Sequence, residues 1–277
     1  MDSDGRAVVL GGGGVTGVAW EVGLIHGLAE LGVDLSRADL YVGTSAGSVE
    51  AAQITSGTPL PEMFAREVAD TSGDRNAAIS SGVLLRFIFS ALMPGDGQRG
   101  RAWLGRAALR ARTVPESQRR AAIMTRVTAD EWPATRLRIP AVVAATGEVK
   151  VFDNDSGVSL IDAVAASCAV PLVWPPMTVN GRRYIDGGMR SIANVDLATG
   201  YDRVVVLAPG SMAVRKKDRP AVQAAALGVP HAVVTPGKAA LAAIGRNPLS
   251  PDRRAAAAEA GRKQATEEFA GVKRIWD

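Results

Sequence analysis

The chain has 277 residues, 47% apolar and 22% charged, with a formal net charge of +4 and 5% aromatic side chains. That length suits one large domain, residues 1–277, with a sizeable core, and the weak charge and few aromatics exclude the basic-patch-and-stacking signature of nucleic-acid binding. The longest strongly apolar stretch, 83–93, is broken by Arg86 and is about half the roughly 20 residues that a bilayer-spanning helix needs.

The opening Met1-Asp2-Ser3-Asp4-Gly5-Arg6 is acidic and polar, without the basic start and apolar run of a signal peptide, so a cytoplasmic protein is expected. Residues 7–10 read as a buried strand that ends in glycines, and 18–31 as a helix with apolar residues at Val18, Val22, Ile25 and Leu28. Residues 39–42 repeat the strand, and 46–56 form a small-residue helix stopped by Gly57 and Pro59. From 61 to 126 the pattern is helical, with breakers at Ser72-Gly73, Pro94-Gly95 and Val114-Pro115, and predicts a helical cap or insertion.

Strand-like runs return at 137–145, 149–152, 183–185, 203–208 and 232–234, with a helix at 160–168. Two proline-led helices, 236–244 and 251–269, close the chain as outer helices. The order predicts a three-layer α/β/α sandwich around a mostly parallel sheet.

Cys168 is the single cysteine, which rules out an internal disulfide and suits a packing role. Arg99, Arg101, Arg106, Arg110, Arg112, Arg119 and Arg120 are opposed within their stretch by Glu116 alone. They make either a solvated helix face or a surface for the headgroups of an anionic membrane, met peripherally. Segment 79–93 is correspondingly either a core helix or a lid or docking face presenting Leu84, Leu85, Phe87, Ile88 and Leu92.

The chemistry gathers at two glycine-rich turns. Gly43-Thr44-Ser45-Ala46-Gly47 lies between a strand and a helix, the setting in which a tight elbow exposes a serine nucleophile. Gly11-Gly12-Gly13-Gly14-Val15-Thr16-Gly17 offers backbone N–H groups at a helix start, where negative charge is favoured. A serine also needs a base. His26 sits within a helix and His231 opens a late strand, so neither has the setting of a base, whereas Asp186 ends a strand before Gly187-Gly188. The first turn also fits a dinucleotide fingerprint, Gly12-x-Gly14-x-x-Gly17, with Asp34 or Asp39 as the ribose acid. That oxidoreductase reading leaves Gly43 to Gly47 unexplained.

Three blocks in this order, Gly12 to Gly17, Gly43 to Gly47 and Asp186-Gly187-Gly188, resemble the patatin-like phospholipases. So does the approach Ala166-Ser167-Cys168-Ala169-Val170-Pro171 with Trp174-Pro175-Pro176. The resemblance implies a serine lipid acyl hydrolase, of phospholipase A, lysophospholipase or carboxylesterase type, acting on lipid or acyl-ester substrates without metal or cofactor. It implies Ser45 as nucleophile, Asp186 as base, and an oxyanion hole of the Gly12, Gly13 and Gly14 amides assisted by that of Ala46. One departure stands out: Thr16 occupies the place where the family usually has Lys or Arg. Another arginine then supplies the charge, or the protein is a weak or silent lipid binder.

Overall fold

The computed structural model describes residues 5–69, 77–210 and 213–277; the expectations at Met1 to Asp4 and at Ser72-Gly73 lie outside these. Its strands are β1 (Arg6–Leu10), β2 (Leu40–Gly43), β3 (Arg136–Val143), β4 (Val149–Phe152), β5 (Met177–Val179), β6 (Arg182–Asp186), β7 (Arg203–Leu207) and β8 (His231–Val234). They form one sheet in the order β5-β6-β3-β2-β1-β7-β8, with β4 also on β3.

The β2-β1-β7-β8 half and the β2–β3 pair are parallel, as expected. The β3–β4, β3–β6 and β5–β6 pairs are antiparallel, so the sheet is mixed. Short connections decide the β3–β4 and β5–β6 pairs, because a parallel return needs a crossover of a dozen or more residues. The turn between β5 and β6 is Asn180-Gly181, both at positive φ (47° and 73°), the pairing that matches a tight hairpin to strand twist.

Alternate residues of the central strands feed opposite faces: Val8, Leu10, Val205 and Leu207 pack on one side, Ala7, Val9, Val204 and Val206 on the other. The first face is covered by α1 (Gly14–Glu30), α2 (Ala46–Thr55), α7 (Leu160–Ser167) and α10 (Arg254–Trp276). On the second, α8 (Pro220–Ala226) packs Ala224 against the centre. Beside it, α5 (Gln98–Arg110) packs Ala108 against Val142 and Ile185. The architecture is therefore the three-layer α/β/α sandwich expected.

Between α2 and β3 lie α3 (Leu60–Val68), α4 (Ser81–Leu92), α5 and α6 (Glu116–Met124). They divide between the faces: α3 packs on α1 and α10, α6 on α7, and α5 on β3 and β6. The remaining helix, α9 (Lys238–Ile244), packs on α10.

α1 begins four residues earlier than expected and is apolar nearly all round, because it lies between the sheet and α10. The two helices meet backbone to backbone, and a Cβ on Gly23 would stand 1.9 Å from the Ala258 carbonyl oxygen. α10 itself runs to Trp276 rather than ending at Phe269, and Trp276 Nε1 donates to the Asp34 carbonyl at 3.0 Å.

Candidate active site

β2 ends at Gly43 and α2 starts at Ala46, leaving Ser45 at φ 51° and ψ −120° in the bend. Such a conformation is costly for a residue with a Cβ and persists only when its surroundings hold it. Here they do. The Ser45 N–H donates to Ser167 Oγ at 3.0 Å, and Ser167 Oγ donates on to the Pro140 carbonyl at 2.7 Å. The Ser45 carbonyl accepts from Ser48 Oγ at 2.6 Å and from Cys168 Sγ at 3.1 Å. Gly47 makes the bend possible, since a Cβ there would lie 2.3 Å from the Leu10 carbonyl oxygen.

Asp186 reaches the same point from β6, which pairs with β3. Ser45 Oγ donates to Asp186 Oδ2 at 2.6 Å, and the Gly188 N–H donates to Oδ1 at 2.7 Å. Asp186 is 2% exposed, and burial pushes its carboxyl up to about 6 against the opposing pull of these hydrogen bonds and of the Arg119 charge. A base that titrates near neutrality suits a serine nucleophile.

Arg119 stacks its guanidinium 4.4 Å from the centre of the Trp174 ring, and its Nε is buried without a hydrogen-bond partner among the described residues. Burial lowers its own pKa, and its field acts on Asp186 and Cys168. Thr16, by contrast, is turned away: its N–H and Oγ1 both donate to the Pro248 carbonyl, at 3.1 and 3.2 Å. The positive charge near Ser45 and Asp186 thus comes from α6 rather than from the glycine turn.

The glycine turn lies against the serine, with a Cβ on Gly12 falling 3.5 Å from Ser45 Cβ. One expectation needs correction: the Gly12 N–H is donated to the Ile192 carbonyl at 2.7 Å, so it has no free proton for an oxyanion. The Gly13, Gly14 and Ala46 N–H groups have no backbone acceptor among the described residues. Behind the turn, the Gly11 N–H donates to Glu21 Oε1 at 2.9 Å, while Glu21 Oε2 and both carboxyl oxygens of Glu50 of α2 are buried without a hydrogen-bond partner among the described residues. Burial holds both of these carboxyls well above the ordinary carboxylate range, that is, neutral.

The remaining histidine and aspartate candidates lie elsewhere. His26 stacks on Phe64 at 4.8 Å and approaches Glu30, while His231 Nδ1 contacts the Val229 carbonyl at 2.8 Å. Cys168 is buried, and burial pushes its thiol up to about 12, consistent with packing. Asp39 accepts from the Arg6 N–H at the start of β1, the end opposite the glycine turn, and Asp34 caps its own turn. Neither is placed to read a ribose.

A family model described as patatin-like phospholipase matches residues 8–199, which include the glycine turn, Ser45 and Asp186. The chain belongs to the patatin-like phospholipase family. VipD from Legionella pneumophila has a similar fold, with TM-score 0.51 and 15% identity over 97% of this chain and 67% of that one. The type III effector protein ExoU aligns with TM-score 0.40 and 15% identity over 96% of this chain and 53% of its own. No curated protein matches the chain.

Family membership implies lipid ester hydrolysis as the class of reaction. Within that family frame, Asn194 escaped the sequence reading. It is fully buried at φ 52°, and its side-chain amide donates to Thr44 Oγ1 and to the carbonyls of Ser191 and Gly187. Ser167 and Arg119 are further members of the site whose roles no local pattern marks. Gly17, Gly43, Gly187 and Gly188 have packing or turn roles: a Cβ on Gly187, for example, would meet the Pro140 carbonyl oxygen at 2.2 Å.

Proposed function

We propose that this protein is a serine lipid acyl hydrolase, of phospholipase A, lysophospholipase or carboxylesterase type, working through a Ser45-Asp186 dyad. The observation that carries the reading is the 2.6 Å hydrogen bond from Ser45 Oγ to Asp186 Oδ2 on a bend that fixes the serine. Asp186 takes the hydroxyl proton as Ser45 Oγ attacks the ester carbonyl. The Gly13, Gly14 and Ala46 amides receive the charge that develops on the carbonyl oxygen. Asp186 returns the proton to the departing alkoxide, leaving an acyl-serine. A water then gives its proton to Asp186 and attacks the acyl carbon, and Ser45 recovers a proton as the fatty acid leaves. Acyl transfer to another alcohol or thioester cleavage would use the same steps.

The competing reading, a catalytically silent lipid binder, draws on Thr16, whose donors are both committed to Pro248. Intact-mass labelling with a lipid-like fluorophosphonate separates the two. One adduct on the native chain, lost in Ser45→Ala, is the expected result. A folded native chain that takes no adduct, with or without detergent, would reject the hydrolase.

A further inference from the structure

α4 is apolar but has almost nothing over it. Of its twelve residues only Ser90 is buried, and Leu84, Leu85, Phe89 and Leu92 are each more than half exposed. Leu85, Phe89 and Leu92 are spaced i, i+4, i+7 and form one stripe. The end of the helix is anchored by Arg215, which donates to the carbonyls of Ala91, Met93 and Gly95, and at the edge of the stripe Phe89 meets Trp103 of α5 edge-on at 5.1 Å.

α5 sets Arg99, Trp103, Arg106 and Arg110 at i, i+4, i+7 and i+11, again one face. A groove of about 420 Å³ is lined by Arg86 of α4 with Trp103, Arg106, Arg110 and Leu172. A second, of about 540 Å³, continues it past Arg99, Met93 and Asp96. Arg86, Arg99 and Arg110 make no ion pair or hydrogen bond among the described residues, and Arg106 donates once, to the Ala145 carbonyl at 3.1 Å. The carboxylate in the second groove, Asp96, already accepts the Gln98 N–H. Leu172 belongs to the loop whose Ala169 carbonyl holds the Asp186 N–H, so the groove borders the segment that supports the base.

Uncommitted guanidinium groups beside an exposed apolar stripe match one kind of surface, a bilayer that presents phosphates above acyl chains. No helix among the described residues is long and apolar enough to cross a membrane, so contact would be from one side. We propose that α4 and the arginine face of α5 form a docking surface for an anionic lipid bilayer. Leu84, Leu85, Phe89 and Leu92 enter the acyl boundary while Arg86, Arg106 and Arg110 take lipid phosphates in the groove. The purpose of the surface rests on the hydrolase reading, but its binding does not need Ser45.

The test is co-sedimentation of Ser45→Ala with phosphatidylcholine vesicles, with and without phosphatidylglycerol. Binding is expected only with the anionic lipid, weakening as salt rises. Leu85→Glu with Leu92→Glu, and separately Arg86→Glu with Arg110→Glu, should each lower partitioning by about tenfold or more. In the chain that keeps Ser45, the same pairs should leave hydrolysis of a water-soluble short-chain ester unchanged. Equal binding to neutral vesicles, or no loss in either pair, would overturn the proposal. So would a dimer in solution that Leu85→Glu makes monomeric, because a second copy then covers the stripe. Vesicle binding without esterase activity supports the docking surface and rejects the hydrolase; activity without vesicle binding does the reverse.

Discussion

Asn194 Nδ2 lies 3.0 Å from Thr44 Oγ1, and the same nitrogen reaches the Gly187 carbonyl at 3.4 Å. One buried amide therefore ties the residue before Ser45 to the residue after Asp186. Asn194→Ala should lower kcat/KM on a soluble ester, with KM less affected than kcat, because the alignment of Ser45 and Asp186 is lost rather than substrate contact. Stability should fall by about 1–3 kcal/mol, since buried polar partners are left unpaired and Ala is poorly suited to positive φ. Urea unfolding and steady-state kinetics check this; unchanged kcat with reduced stability would leave Asn194 a purely structural residue.

In the proposed mechanism Asp186 acts as a base only when ionised. With its carboxyl at about 6, kcat/KM on a soluble ester should rise with pH through about 6 and level off above it. A pH profile flat down to the ordinary carboxylate range would contradict the burial-raised value.

Arg119 opposes the effect of burial on Asp186. Removing that charge in Arg119→Gln lets the Asp186 value rise, so the acid limb should move to higher pH, while Arg119→Lys should restore part of the original position. A merely structural role for Arg119 would lower activity in both variants without moving the limb.

The same linkage bears on stability. A carboxyl raised above its unfolded value costs stability as pH rises, because the unfolded chain releases its proton first. Asp186 contributes such a cost, as do Glu21 and Glu50, and the cost grows as pH climbs above the unfolded carboxylate value of about 4. Asp186→Asn should thus abolish turnover, by about a thousandfold or more, yet unfold no earlier than the native chain at neutral pH. Glu50→Gln should flatten the decline in urea midpoint between acid and mildly alkaline pH. A midpoint that rises with pH over this range in the native chain would refute the buried neutral pair.

Much of the site is legible locally because its constraints are local. Gly43 and Gly47 must be glycine for a bend packed on Leu10, and Gly187 and Gly188 let Asp186 leave its strand. The sheet is legible for the same reason, wherever β-branched runs end in glycine. What escaped depends on partners far along the chain. Gly12 looks free in the sequence, but its proton goes to Ile192, and Arg119 looks like one of seven surface arginines until Trp174 and Asp186 are brought beside it. Glu21 and Glu50 contradict the habit of placing carboxylates outside, because α1 and α2 are buried all round. β5 is three residues long and has too little pattern to read, although Asn180-Gly181 marks its turn.

Thr16 and Gly14 are held against Pro248, and α1 is held against α10. The glycine turn thus takes its shape from a segment made 232 residues after it. A nascent chain halted on the ribosome before Pro248 already carries Ser45 and Asp186, but its glycine turn lacks the neighbour that orients it. Such a chain should resist fluorophosphonate labelling that the released protein accepts, so lipid cleavage would begin only after Pro248 has been made.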